Sequence, residues 1–224
     1  MGPSATRADV PIVAPSILSA DFGRIADEVR AVTAAGADWI HVDVMDGHFV
    51  PPITIGPVVV EAVRRATALP LDVHLMIERP ELKLDSFAKA GADRMTVHVE
   101  ACEHPAVVLH AIREAGCAPG ITLNPETDLE RVRPLVQHAD LLLIMTVHPG
   151  WGGQPIVEGW EERIAAARRI VDQEGARCLI EVDGGIKAFN AARAVAAGAD
   201  VLVAGSAVFE ASDYAQAIRA LRGD

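Results

Sequence analysis

Two histidines and two aspartates pose the chemical question in this sequence. His41 and Asp43 are two residues apart in the otherwise apolar run Ile40–Val44, and His74 and Asp183 each sit in a short aliphatic run of their own. In extended chain, residues two apart share a face. His41 and Asp43 therefore point one way, while Ile40, Val42 and Val44 point the other. A carboxylate buried on such a strand is costly unless something compensates its charge. A divalent metal ion would do so, and imidazole with carboxylate suits Zn, Fe, Mn or Co. No local spacing motif ties the four together, so a metal site requires a fold that gathers these strands. An isolated buried histidine is more often a core residue bonded to backbone; four such residues at matching places favour a site.

A second set of residues could hold an anion. Three glycine-rich turns come late in the chain: Pro149-Gly150-Trp151-Gly152-Gly153, Asp183-Gly184-Gly185 and Ala204-Gly205-Ser206. Glycine lets the backbone approach a ligand closely, and successive N–H groups form anion-binding nests. In a chain of net charge -11, this is a way to hold phosphate without Lys or Arg. The same charge argues against nucleic acid and against anionic membrane, which call for a basic face.

The elements that must position these groups are legible from a recurring phrase. Gly-Ala-Asp followed by an apolar run appears in AAGADWIHVD (34–43), KAGADRMTVHVE (89–100) and AAGADVLVAGS (196–206). Looser copies are EAGCAPGITLNP (114–125), QHADLLLIMTVHP (137–149) and EGARCLIEVDGG (174–185). PIVAPS (11–16) and LDVHLM (71–76) complete a set of about eight strands. Stretches with helical spacing lie between them, including Phe22–Ala34, Pro57–Ala66, Pro105–Ala115 and Trp160–Gln173. Asp21, Asn124-Pro125 and Ser212 read as helix entries. Strands alternating with helices throughout 224 residues predict a single-domain α/β fold, a (β/α)8 TIM barrel over residues 10–224, after a disordered tail over 1–9. An open doubly wound sheet would need a glycine-rich turn after the first strand, where this chain has APSILSADF.

In such a barrel the site lies at the C-terminal ends of the strands. There the sequence places Ser16, His41 with Asp43, His74, His98 with Glu100, Asn124, Thr146 with His148, Asp183, and Gly205-Ser206. Met45, Met76 and Met145 stand at the same ends, and are read as the pocket wall as readily as core filling. Cys102, Cys117 and Cys178 form no CxxC pair and read as buried thiols of a cytoplasmic protein. The first residues lack the apolar stretch of a signal peptide, and no apolar run reaches the roughly 20 residues of a membrane span.

Six stretches, taken in order, resemble the ribulose-phosphate 3-epimerase family: APSILSADF (14–22), HVDVMDGHFVP (41–51), DVHLMI (72–77), PGWGGQ (149–154), VDGGI (182–186) and VAGSAVF (203–209). The resemblance runs from about Val10 to Leu221. It implies interconversion of D-ribulose 5-phosphate and D-xylulose 5-phosphate, with one divalent metal ion on His41, Asp43, His74 and Asp183. It implies that Asp43 and Asp183 are the acid/bases on opposite faces of C3, and that Ser16 and His74 contact the substrate. Gly150 to Gly153, Gly184, Gly185, Gly205 and Ser206 would carry the phosphate, and the protein would be a homo-oligomer. Pro52 after Phe49-Val50-Pro51, and His148 before Pro149, depart from the family's usual pattern. A hexulose-6-phosphate 3-epimerase would use the same residues in a roomier pocket. A non-catalytic phosphosugar-binding protein would be expected to lose one of the two aspartates. A Schiff-base lyase would want a lysine at a strand end, whereas Lys83, Lys89 and Lys187 fall in predicted helices or at their starts.

Overall fold

The computed structural model describes residues 10–224; the tail expected over 1–9 lies outside the described residues. Eight parallel strands form one sheet: β1 (Ile12–Pro15), β2 (Ile40–Met45), β3 (Leu71–Met76), β4 (Arg94–His98), β5 (Ala118–Leu123), β6 (Leu141–Met145), β7 (Leu179–Asp183) and β8 (Val201–Ala204). Each strand pairs with the next in sequence from β2 to β8, and β8 pairs with β1. A parallel bridge between Ser16 and His41 brings the two remaining edges together. This is the (β/α)8 barrel expected from the alternation.

The helices outside the barrel are α1 (Ile25–Ala34), α2 (Pro57–Ala66), α3 (Leu84–Ala90), α4 (Pro105–Glu114), α5 (Trp160–Gln173), α6 (Ala188–Ala197), α7 (Ser206–Phe209) and α8 (Tyr214–Arg222). Their buried stripes, such as Val60 and Val63 of α2 and Ile164, Ala167 and Val171 of α5, meet the outward faces of the strands in one aliphatic layer. That layer includes Ile40, Val42 and Val44, as the alternation in β2 requires.

The Gly-Ala-Asp phrase has a structural cause. Gly36, Gly91 and Gly198 all have positive φ, which ends each helix and turns the chain inward. The aspartate two residues on then accepts a backbone N–H from a neighbouring strand: Asp38 from Val13 at 2.8 Å, Asp93 from Leu71 at 2.7 Å and Asp200 from Ile180 at 2.8 Å. Each aspartate is also paired with an arginine of a helix, namely Arg222, Arg64 and Arg168. The repeat is thus a tie at the base of the barrel, opposite the end where chemistry is expected.

Two expectations need correction. No helix begins at Asn124-Pro125. Thr127 N–H bonds back to the Asn124 carbonyl, and only a 3₁₀ turn, Leu129–Arg131, forms between β5 and β6. The cap lies further on instead, where the Asp128 carboxylate accepts the Glu130 N–H at 3.0 Å and opens that turn, and Pro134 keeps the turn from lengthening into a regular helix. The cap of α8 is Asp213 rather than Ser212: its carboxylate accepts the Gln216 N–H at 2.9 Å. Asp21 caps as expected, accepting from Gly23, but opens a 3₁₀ turn, Phe22–Arg24, ahead of α1.

Candidate active site

β2, β3 and β7 bring the four chemically suspect residues together at the C-terminal end of the barrel. One donor atom each from His41, Asp43, His74 and Asp183 lies within 4.8 Å of every other. Asp43 is central. Its Oδ1 is 3.3 Å from His41 Nε2 and 3.2 Å from His74 Nδ1, while its Oδ2 accepts the Ser16 hydroxyl at 2.5 Å. Asp183 Oδ2 stands 3.8 Å from His74 Nδ1. Both histidines have no exposed surface. The far side of each ring is also engaged: His41 Nδ1 with Asp72 Oδ2 at 2.7 Å, and His74 Nε2 with His98 Nε2 at 2.9 Å.

The two aspartates differ in acidity. Burial works to raise Asp43, but the charges and hydrogen bonds of His41 and His74 overcome it and hold the carboxyl well below its usual range. Burial pushes Asp183 up to about 6, reinforced by the charge of Asp43. His41 is raised: burial opposes protonation, yet Asp43 and Asp72 together outweigh it. Two carboxylates a few ångströms apart thus sit at opposite ends of the carboxylate range, a pattern that separates acid and base roles.

A cavity of about 400 Å³ opens directly over this cluster. Asp43 and Asp183 form part of its floor, with Ser16, Met45, Met76 and Met145. Met45 and Met76 pack together with Val50, and Met145 packs with Leu143 and Val147. The three glycine turns line the same cavity through Gly150, Trp151, Gly152, Gly153, Gly184, Gly185, Gly205 and Ser206. Gly184 has φ +119°, and a Cβ there would lie 2.6 Å from Val147 Cγ2. Only glycine fits that bend. Gln154 braces the loop after β6 by donating to the carbonyls of His148 and Trp151. Pro52 meets this loop from the other side, its Cδ 3.7 Å from where a Gly150 Cβ would stand, and His148 faces Glu126 across 2.9 Å at the mouth.

The model of the ribulose-phosphate 3 epimerase family matches residues 12–209. The chain belongs to that family. The ribulose-phosphate 3-epimerase of Bacillus subtilis (strain 168) is 51% identical over 212 residues, covering 94% of this chain and 98% of that protein. Its counterpart in Synechocystis sp. is 53% identical over 213 residues, covering 94% and 93%. Among solved structures, a 3-hexulose-6-phosphate synthase superposes with a TM-score of 0.67 at 25% identity, over 94% of this chain and 97% of that one. The chain is therefore an enzyme of the isomerase class, an epimerase.

The buried cluster of this epimerase extends deeper than sequence reasoning reached. Asp72 and Glu181, both fully buried, lie beneath the four site residues, and Glu181 Oε1 is 3.7 Å from His41 Nδ1. Burial, with the nearby Asp72 charge, pushes Glu181 well above the usual range, whereas the hydrogen bond and charge of His41 hold Asp72 below it against burial. The signal was present: Asp72 is two residues before His74, and Glu181 two before Asp183, on the same strand faces. Lys187 and Arg193 also line the cavity, beyond the glycine turns. Arg193 is held by both oxygens of Glu161 at 2.6 and 2.7 Å, whereas Lys187 forms no ion pair among the described residues.

The donor set fits a divalent metal. Two imidazoles and two carboxylates converge, each histidine has its outer nitrogen occupied by a fixed partner, and the inner nitrogens crowd carboxylate oxygens rather than backbone. Among the described residues no helix is long and apolar enough to cross a membrane.

Proposed function

We propose that this epimerase interconverts D-ribulose 5-phosphate and D-xylulose 5-phosphate by moving a proton at C3 between Asp43 and Asp183. The observation that carries the reading is the pair itself: two carboxylates, a buried one from β2 and a half-buried one from β7, meeting under one cavity with their acidities driven apart. Inverting a carbon beside a ketone requires a proton to leave from one face and return to the other. A single carboxylate does not reach both faces, and two from different strands do.

His41, Asp43, His74 and Asp183 would hold one divalent ion of the Zn, Fe, Mn or Co type. Bound there, it supplies Lewis-acid stabilisation of the negative charge that develops on the substrate's oxygens. The chain's own groups do the rest. One aspartate removes the C3 proton, and the other delivers a proton to the opposite face; the reverse reaction exchanges their roles. In the metal-free protein burial and the charge of Asp43 raise Asp183 to about 6, and a divalent ion held there would favour its ionised, proton-accepting form. Ser16 fixes the free oxygen of Asp43, so that carboxylate keeps one orientation. The methionines line the floor without offering protons of their own. The N–H groups of the glycine turns hold the phosphate, anchoring the sugar chain while the two bases act in turn. Buried free thiols at Cys102, Cys117 and Cys178 fit a reducing, cytoplasmic setting.

The test is turnover of D-ribulose 5-phosphate in deuterated water. Deuterium should enter at C3 of both epimers, activity should vanish on chelation, and it should return on adding back divalent metal. Label at C1 would mean an isomerisation between C1 and C2 and would refute the assignment. So would near-normal turnover by Asp43→Asn with metal still bound.

A further inference from the structure

Both site histidines present one nitrogen to the donor cluster, but not the same one. His41 turns in Nε2 and gives Nδ1 to Asp72. His74 turns in Nδ1, 3.2 Å from Asp43 and 3.8 Å from Asp183, and its Nε2 meets not a carboxylate but another imidazole, His98, at 2.9 Å. Two ring nitrogens can bond only if one carries hydrogen and the other does not. His98 is fully buried, with Phe49 against it at 4.7 Å between ring centroids. Its other nitrogen, Nδ1, lies 3.5 Å from Glu100 Oε2. Glu100 is itself fixed: its Oε1 accepts the Asn124 N–H at 2.9 Å and the Thr127 hydroxyl at 2.5 Å, leaving Oε2 toward His98.

We propose that His98, oriented by Glu100, is a positioning residue that holds His74 in the tautomer with hydrogen on Nε2, so that the Nδ1 lone pair faces the metal donor cluster. The Glu100 carboxylate favours hydrogen on His98 Nδ1. A neutral ring carries one such hydrogen, so His98 Nε2 is an acceptor, and His74 must donate to it. His74 Nδ1 is then free to bind a cation. Without this relay His74 can place its hydrogen on Nδ1 and give it to Asp43, closing the cluster with an internal hydrogen bond in place of a ligand. Metal sites in general lose 10- to 100-fold in affinity when such an outer partner is removed. The inference rests on the reading that His74 is a metal ligand.

The experiment compares wild type, His98→Leu and His98→Gln. Zn2+ affinity is measured against a competing chelator, and long-range proton–nitrogen spectra of the ¹⁵N-labelled histidines are recorded with and without Zn2+. Leucine removes the acceptor, and affinity should fall roughly 10- to 100-fold. Glutamine puts an oxygen near the position of Nε2 and should restore most of that loss. In wild type, His98 should carry hydrogen on Nδ1 alone, and His74 on Nε2 alone once Zn2+ is bound. Equal affinity of wild type and His98→Leu overturns the proposal, as does a His98 protonated on Nε2. If His98→Leu does not fold, the glutamine variant and the wild-type spectra still decide. Failure of the metal reading shows differently, as wild type that takes up no Zn2+ at all, and it would remove the proposal with it.

Discussion

Replacing Asp183 with asparagine should change how metal binding depends on pH, by an amount that follows from its acidity. In the metal-free protein Asp183 titrates at about 6, because burial and the charge of Asp43 disfavour its ionised form. Only the ionised form is a ligand. At pH 7 about ten in eleven Asp183 side chains are ionised and at pH 5 about one in eleven, a tenfold loss of apparent affinity, or ~1.4 kcal/mol. Asp43 is held far below this window and stays ionised across it. The ratio of wild-type to Asp183→Asn affinity for Zn2+, from chelator competition at pH 5, 6 and 7, should therefore shrink about tenfold from pH 7 to pH 5. Taking the ratio cancels the other titrating groups common to both proteins. The same shift fixes a stability effect of opposite sense. Between pH 4 and 6 the folded, metal-free protein keeps a proton that the unfolded chain has lost, so stability falls as pH rises through that window. Above pH 6 the penalty is complete, on the order of 3 kcal/mol for a shift of about two units. Asp183→Asn should accordingly melt higher than wild type without metal at pH 7, and lose that advantage below pH 4. An affinity ratio that does not change with pH, or a variant less stable than wild type without metal at pH 7, would refute the reasoning.

Two further outcomes concern the end of the cavity lined by the glycine turns. Lys187→Met should raise KM for the sugar phosphate and leave kcat nearly unchanged, because Lys187 lines the cavity without an ion-pair partner among the described residues; the difference should narrow as salt is raised in steady-state assays. Gly184→Ala should cost about 1–3 kcal/mol of stability, since φ is +119° and the new Cβ would lie 2.6 Å from Val147 Cγ2 and 2.9 Å from its backbone nitrogen. The displaced turn should also raise KM, so denaturant unfolding and kinetics check the two effects separately.

Much of the barrel was legible because its rules are periodic. Alternation along β2 separated His41 and Asp43 from Ile40, Val42 and Val44, and the Gly-Ala-Asp phrase marked where helices hand over to strands. The connection after β5 was misread because Asn124-Pro125 is a good helix opening, whereas the chain closes a turn from Asn124 to Thr127 and caps only a short 3₁₀ turn at Asp128. His98 and Glu100 were visible as polar residues at strand ends, but nothing in the chain could show that they face His74 in series. That depends on distances between β3 and the end of β4. Lys187 was visible only as a helix start, since its place at the cavity depends on how the chain leaves β7.

Asp72 and Glu181 show what strand alternation alone leaves open. The apolar pattern of β2 and β3 fixes which residues face inward, yet a slip of two residues between these strands would preserve every face. The observed register sets His41 opposite Asp72, Asp43 opposite His74 and Met45 opposite Met76. Each buried charge of one strand therefore meets a group of complementary character on the next. A slip of two in one direction would put His41 opposite His74 and Asp43 opposite Met76, leaving the aspartate without its partner in a fully buried layer. Sliding the other way would set Asp43 against Asp72. An unpaired buried charge costs several kcal/mol, comparable to a sizeable share of the ~5–15 kcal/mol that holds a domain together. The groups proposed to do the chemistry are thus also the groups that distinguish this register from its neighbours, so their charges favour the strand pairing that brings them together.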